Sequence, residues 1–244
     1  SSQVAVFSLD EDHSRRTGLV PDHVLRIGYG EIAPEDIEIL RETLDLNPVG
    51  VEAVDFLYRK YGPSKWLKEF LSVGGREEMR SLAETLSVNL NALIALQNRL
   101  SRLERFDFMD ETGHGSVEQI LQYLDRGMHV VLEFGRYGSD LAAYILVANL
   151  LTRRIYERYQ RMTERAMGEQ GQEPRPLVIT VEEAHKFLTP GIADKTIFGT
   201  IAREMRKYNV TLLIVDQRPS GIDDEVMSQL GTKITCLLDN ERDT

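Results

Sequence analysis

The sequence predicts an α/β fold in which a parallel β-sheet is flanked by helices and interrupted by a helical insertion. Two observations predict it. Five short apolar runs are rich in β-branched residues and are continuous rather than alternating, as in strands buried on both faces. Helical segments lie between the later runs, which gives the β-α-β order of a doubly wound sheet. The predicted strands are Val4–Phe7, His129–Phe134, Leu177–Val181, Val210–Val215 and Ile234–Leu238.

Two helices are predicted between the later strands. Ser139 and Asp140 are typical of a helix cap, and the helix that they begin runs toward Arg165. A stretch with two glycines and two prolines, 167–176, then forms a loop. The next helix is predicted from Ile192 to Lys207, with an apolar face and a basic face.

The segment from Pro34 to Asp125 has almost no strand signal and predicts the helical insertion. Apolar residues recur at steps of three and four from Arg76 to Arg105, which predicts one long amphipathic helix. Shorter helices, 34–46 and 49–73, precede it. An internal bundle is the favoured use of the apolar stripe, and a coiled-coil dimer interface is the alternative.

Composition restricts the class of protein. The 244 residues carry 29 basic and 39 acidic side chains, a net charge of −10, which argues against a protein that coats nucleic acid with its outer surface. DNA held in a narrow pore is still compatible with this charge. No apolar run approaches the ~20 residues that span a bilayer, and we expect no membrane partner. The single cysteine, Cys236, forms no internal disulfide, and a cytoplasmic location is favoured.

An acidic pair follows one of the predicted strands. Glu182 and Glu183 come directly after Leu177–Val181. In nucleoside triphosphatases of the P-loop type, the first such acid holds Mg²⁺ at the carboxyl end of a strand, and the second polarises the attacking water as general base. Acidic residues also favour the first turn of a helix, so the pair alone leaves both interpretations open. His185 is interpreted as a packing residue rather than a relay.

The next helix and strand add further candidates. Gln217 follows the strand Val210–Val215, where a polar side chain can contact both the γ-phosphate and the water. Arg203 and Arg206 lie on the basic helix face and are candidates for arginine fingers that reach across a subunit boundary. A solvated helix face with ordinary ion pairs is the alternative for these arginines.

These residues carry a family resemblance. The stretches Val178–Phe187, Ile201–Val210 and Asp216–Ser220 together resemble the HerA family of hexameric ATPases, and the match runs from about Gly127 to Thr244. The resemblance implies a RecA-like core of the P-loop type, a ring of six subunits, ATP with Mg²⁺, and DNA translocation. It also implies a nuclease partner similar to NurA in DNA end processing, or another effector in defence against phage. The implied organisation is a core that begins in 1–33, an insertion in 34–126, and the remaining core in 127–244.

One family motif does not occur in these residues. The phosphate-binding loop, Gly-x-x-x-x-Gly-Lys-Ser/Thr, is missing, and the glycine-rich stretches Gly74–Gly75 and Gly135–Gly138 lack the lysine that would follow. We interpret this as truncation, because the run from Val4 to Asp10 resembles the strand that follows the loop. Asp10 is then a candidate nucleotide-site residue, although turn chemistry explains it equally well. These residues alone are expected to bind ATP weakly and to be inactive.

Three other functions remain open at this point. A conjugation or packaging ATPase would share the same core and move a different cargo. A non-catalytic, ATPase-like module would assemble rings or dock an effector, which fits the missing loop but not the retained glutamates. A superfamily-two helicase is disfavoured, because no second domain with an arginine-rich ATP motif follows.

Overall fold

The computed structural model describes residues 3–112, 115–168, 171, 173–186, 188–193, 196–204 and 207–235, without the side chains of Arg203 and Glu204. The chain forms two compact units, Ser1–Leu146 and Val147–Thr244, which we describe separately. Within the described residues, every pair of neighbouring strands is parallel. The predicted combination of parallel strands and helices is therefore confirmed.

The first unit contains a three-stranded parallel sheet with an apolar strand at its centre. Strand β1 (Val4–Ser8) lies between β2 (His23–Val24) and β5 (His129–Glu133). Its register with β5 pairs Val4 with His129 and Ser8 with Glu133, so the carboxyl ends of the two strands lie side by side. A smaller parallel pair joins β3 (Ile27–Gly28) to β4 (Met109–Asp110).

Helices occupy most of the remainder of the first unit, as the sequence predicts. They are α1 (Glu11–Arg16), α2 (Pro34–Ile39), α3 (Pro48–Tyr61), α4 (Trp66–Leu71), α5 (Gly75–Leu86), α6 (Leu90–Leu100) and α7 (Ser116–Asp125). The indole of Trp66 is fully buried among them and donates a hydrogen bond from Nε1 to the carbonyl oxygen of Ile32, 2.8 Å away. This bond satisfies the one polar group of a large apolar side chain.

The prediction of a single long helix from Arg76 to Arg105 is wrong. Helix α5 ends at Leu86 because Ser87 adopts a left-handed conformation with φ of 55°. The amide of Val88 then donates to the carbonyl of Ala83, and the Asn89 side chain caps α6 by accepting from the amide of Ala92. The two helices keep the same apolar spacing and pack against each other as a hairpin, which the spacing alone does not distinguish from one straight helix.

The second unit contains β6 (Leu177–Glu182) and β7 (Val210–Val215), which pair in parallel from Leu177 with Val210 to Glu182 with Val215. The boundary between the units falls within α8 (Leu141–Met167), whose start is capped by Asp140 as predicted. Helix α9 (Ile197–Glu204) is shorter than predicted and packs on β7, and α10 (Asp224–Gln229) follows.

Two strand predictions need correction in this unit. Val178 and Leu213 are 58% and 50% exposed, so β6 and β7 are not buried on both faces. Alternate residues of a strand point to opposite faces, and the described residues cover only one face of this pair. In the predicted fifth strand, Ile234 is 89% exposed and lies in irregular backbone, while 236–238 lie outside the described residues.

Candidate functional site

The acidic pair lies at the carboxyl end of β6, beside the carboxyl end of β7. Glu182 is the last residue of β6 and is in register with Val215, the last residue of β7. Glu183 and Asp216 follow directly on neighbouring strands, and both glutamates are exposed. In open α/β sheets this edge is where ligands bind. The positions match the prediction from the sequence, and the roles of the two residues stay predictions.

The backbone at Glu183 is strained and its side chain has a partner. Its φ is 51°, in the left-handed region that non-glycine residues rarely adopt. The turn that follows, Ala184–Lys186, brings the Lys186 ammonium onto the Glu183 carboxylate in an ion pair. The hydrogen bond from Lys186 lowers the pKa of Glu183 below its ordinary value. This carboxylate is consequently ionised at neutral pH.

A histidine–aspartate pair joins the ends of β6 and β7. Asp216 Oδ2 accepts hydrogen bonds from the amide of His185 at 2.8 Å and from His185 Nδ1 at 2.9 Å. Asp216 Oδ1 accepts from the amide of Arg218 at 2.6 Å. Burial by itself raises the pKa of Asp216, but these hydrogen bonds outweigh it and hold the pKa below its ordinary value. Sequence reasoning assigned no role to Asp216, although its place directly after a strand was a usable signal.

The other predicted residues of this unit are placed less completely. Gln217 directly follows Asp216 and is exposed at the same edge as Glu183. Arg203 lies on the backbone of α9, and its side chain is not among the described atoms. Arg206 lies outside the described residues. The structure therefore brings Glu182, Glu183 and Gln217 to one edge and leaves both arginine predictions untested.

Asp10 belongs to the first unit, at the carboxyl ends of β1 and β5. It caps α1 by accepting a hydrogen bond from the amide of His13 at 3.0 Å, so the expected turn chemistry is present. Its second oxygen lies 3.3 Å from Arg136 Nε, an ion-pair distance without hydrogen-bond alignment. Although burial raises the pKa of Asp10, the backbone amides of His13 and Arg136 and the charge of Arg136 outweigh it and lower the pKa. A role toward nucleotide stays a prediction.

A buried hydroxyl–carboxylate network lies beside Asp10 and was not predicted from the sequence. Glu133 Oε2 accepts from Ser8 Oγ at 2.7 Å and from Ser14 Oγ at 2.6 Å, and Glu133 Oε1 accepts from the amide of Gly135 at 3.1 Å. These bonds tie the end of β5 to α1 and to the turn Gly135–Ser139. The network gives the strand ends of this unit a fixed geometry.

Comparison with known proteins identifies the relatives of this sequence. The DNA double-strand break repair helicase HerA of Sulfolobus acidocaldarius is 37% identical over 170 residues, which cover 69% of this chain and 31% of that protein. The protein of the same name from Pyrococcus furiosus is 44% identical over 70 residues, 28% of this chain and 13% of that protein. The chain belongs to the HerA family. The family resemblance found in the sequence is thus confirmed.

Two further comparisons limit what membership in the HerA family implies here. The chain spans at most about a third of the length of these HerA relatives, and no family model matches the sequence. VirB4 of Thermoanaerobacter pseudethanolicus has a TM-score of 0.44 at 16% identity, covering 94% of this chain and 66% of that chain.

A Mg²⁺ ion held mainly by a nucleotide would need only one or two carboxylates from the protein. Within the described ranges, no group of three or more His, Cys, Asp or Glu side chains converges as a self-contained metal site. Mg²⁺ in phosphoryl-transfer sites usually takes one or two carboxylates together with phosphate oxygens and waters. Glu182 supplies one exposed carboxylate at the strand end and suits that arrangement.

Among the described helices, none has the length and apolar character required to cross a bilayer.

Proposed function

We propose that this chain is part of an ATP-driven DNA translocase or helicase motor of the HerA type with a RecA-like core. The observation that carries the proposal is the pairing of two strand ends. Glu182 and Glu183 follow β6, and Asp216 and Gln217 follow β7, in a register that places both pairs at one edge. Support comes from the relatives, which are named DNA repair helicases.

In the proposed site each residue has a distinct chemical role. Glu182 holds the Mg²⁺ of Mg–ATP, and that ion neutralises charge on the phosphates when it is bound. Glu183 accepts the proton of the attacking water, and Gln217 orients that water and detects the γ-phosphate. Arg203 and Arg206 act across a subunit boundary in a hexamer. Asp10 belongs to the nucleotide-binding side of the core.

The lowered pKa of Glu183 supports its role as a base, but the ion pair with Lys186 affects how strong that base is. A carboxylate with a lowered pKa is ionised at neutral pH and so is ready to accept a proton. The ion pair with Lys186 involves Glu183 Oε2 and makes the carboxylate less basic. Separation of Glu183 from Lys186 during the catalytic cycle would therefore make Glu183 a stronger base.

The biological setting is part of the same proposal. We place the motor in DNA end processing or phage defence, as a hexamer that works with a NurA-like nuclease or another effector. The proposed organisation has core segments in 1–33 and 127–244 and a helical insertion in 34–126.

The test is hydrolysis of ATP by the full-length protein carrying Glu183→Gln. The substitution keeps the size of the side chain and removes its basicity, so DNA-stimulated hydrolysis should fall by about 100-fold or more while ATP binding is retained. Glu173→Gln, at an exposed position before β6, is the matched control and should leave hydrolysis unchanged. Hydrolysis at the unsubstituted rate in the Glu183→Gln protein would remove Glu183 from the mechanism. If the unsubstituted full-length protein shows no hydrolysis but forms rings, the non-catalytic module is the correct function.

A further inference from the structure

Hydrogen bonds between His185 and Asp216 connect the residues that follow β6 with those that follow β7. A single carboxylate oxygen, Asp216 Oδ2, accepts from both the backbone amide and the ring Nδ1 of His185. The Asp216 side chain is only 3% exposed, whereas the His185 side chain is 27% exposed. A buried carboxylate is costly unless hydrogen bonds compensate for its lost hydration. Three N–H donors, including the Arg218 amide, provide that compensation.

The contact with Asp216 determines whether Nδ1 of the imidazole carries a proton. Since an ionised carboxylate only accepts, Nδ1 of His185 must carry the proton. The ring is thereby held through Nδ1 in one orientation. Glu183 and Lys186 on its own turn and Asp216 on the neighbouring strand end are charged groups close to the ring.

Neighbouring contacts extend this link into a junction between the two segments that follow β6 and β7. The amide of Asp223 donates to the carbonyl oxygen of Leu188 at 2.6 Å. A Cβ atom at Gly221 would lie 3.6 Å from Cβ of His185, so the turn Pro219–Gly221 packs directly on the histidine. The two segments are thus joined by side-chain, backbone and packing contacts.

The chemistry-bearing residues are the immediate neighbours of this junction. Gln217 is bonded to Asp216 along the chain, and Glu183 lies two residues before His185 on a backbone with positive φ. A backbone displacement that separates Asp216 from His185 would also shift Gln217 relative to Glu183. Catalytic geometry is sensitive to displacements of about 1 Å, which can cost about 100-fold in rate.

We infer that His185 and Asp216 form a positioning pair that holds the base Glu183 and the water-orienting Gln217 in register. His185 acts through Nδ1, on Asp216, and not by contact of Nε2 with the nucleotide or water. This inference rests on the proposed ATPase function of the same site. It assigns a role to a histidine that the sequence alone favoured as a packing residue.

The experiment compares two amides that each copy one nitrogen of the ring in the full-length protein. The amide nitrogen of Asn is as many bonds from Cα as Nδ1 of His, and the amide nitrogen of Gln corresponds to Nε2. His185→Asn should retain the donor to Asp216 and hydrolyse ATP at close to the unsubstituted rate. His185→Gln should lower kcat by about 100-fold with the KM for ATP unchanged. A melting temperature for each variant separates lost positioning from lost folding.

Each result of this experiment either supports or overturns the positioning role of His185. Retained activity in His185→Gln, or equal loss in both variants, would overturn the inference, because Nε2 or the whole ring would then be required. If activity falls only in proportion to a lowered melting temperature, the pair stabilises the fold without positioning catalytic residues, and the inference is also overturned.

A spectroscopic measurement separates this inference from the function on which it rests. The nitrogen-15 shifts of the His185 ring should show a protonated Nδ1 that is lost in Asp216→Ala, whether or not ATP is present. An unprotonated Nδ1 would refute the pair itself. If Nδ1 is protonated but Glu183→Gln hydrolyses ATP normally, the proposed function has failed and the junction between the strand ends remains.

Discussion

Replacement of Gly135 by alanine tests the packing between β5 and α1 in the first unit. Gly135 begins the turn Gly135–Ser139 with φ of 56°, a conformation that disfavours any residue with a Cβ atom. A Cβ atom there would lie 2.6 Å from Cβ of Asp10 and 3.3 Å from Cβ of His13. Both neighbouring atoms are bonded directly to backbone, so they cannot move aside by rotation of a flexible side chain.

The expected cost follows from two separate effects. A left-handed backbone costs a non-glycine residue about 1–2 kcal/mol, and overpacking of a filled site costs about 1–3 kcal/mol. Reduced freedom of the unfolded chain returns about 0.4–1 kcal/mol. Gly135→Ala should therefore lower the free energy of unfolding by about 1–4.5 kcal/mol, a substantial part of the ~5–15 kcal/mol typical of a domain.

The assay is urea unfolding of the 244-residue chain followed by the fluorescence of Trp66. Trp66 is the single tryptophan of these residues and is fully buried in the first unit, so its emission reports on that unit. Gly18→Ala has positive φ but open space and should cost about 0–1.5 kcal/mol. Gly138→Ala meets only an ordinary contact, 3.7 Å from Phe134 Cβ, and should stabilise by about 0.4–1 kcal/mol. A cost for Gly135→Ala no larger than that for Gly18→Ala would refute the steric reasoning.

Two further predictions concern single residues. Ser87→Gly should stabilise the first unit by about 1 kcal/mol, because glycine adopts the left-handed conformation at the α5–α6 break without a Cβ penalty; a loss of stability in urea unfolding would contradict the described break. Lys186→Met should raise the pKa of Glu183 toward its ordinary value, because the ion pair that favours the charged carboxylate is removed. A carbon-13 pH titration of the Glu183 carboxyl should show its midpoint at higher pH in the variant, and an unchanged midpoint would show that Lys186 does not determine this pKa.

The sequence predicted the location of the site better than its internal contacts. Apolar runs followed by polar residues placed Glu182, Glu183 and Gln217 at strand ends, because the inward-facing residues of a strand stay apolar for as long as the strand contacts the core. The contact between His185 and Asp216 joins residues 31 positions apart. No local sequence pattern predicts this contact, because the contact depends on the parallel register of β6 with β7.

For the helices between Arg76 and Arg105, the sequence likewise predicted one feature and the structure decided another. The spacing of three and four residues between Arg76 and Arg105 determined which side chains face the apolar interior, since that periodicity is a property of the helix itself. It did not determine where the chain reverses. Ser87 is a poor choice for a left-handed residue by local preference, and packing of α5 against α6 decides its conformation.

By itself, the sequence determined the α/β class, the parallel strands, the acidic strand end and membership in the HerA family, because these depend on residue order along short segments. Tertiary structure alone decided the helix reversal at Ser87 and the burial of Asp216 against His185. Each of these depends on which segments meet in space, and the free energy of those contacts outweighs the local preferences of the residues involved.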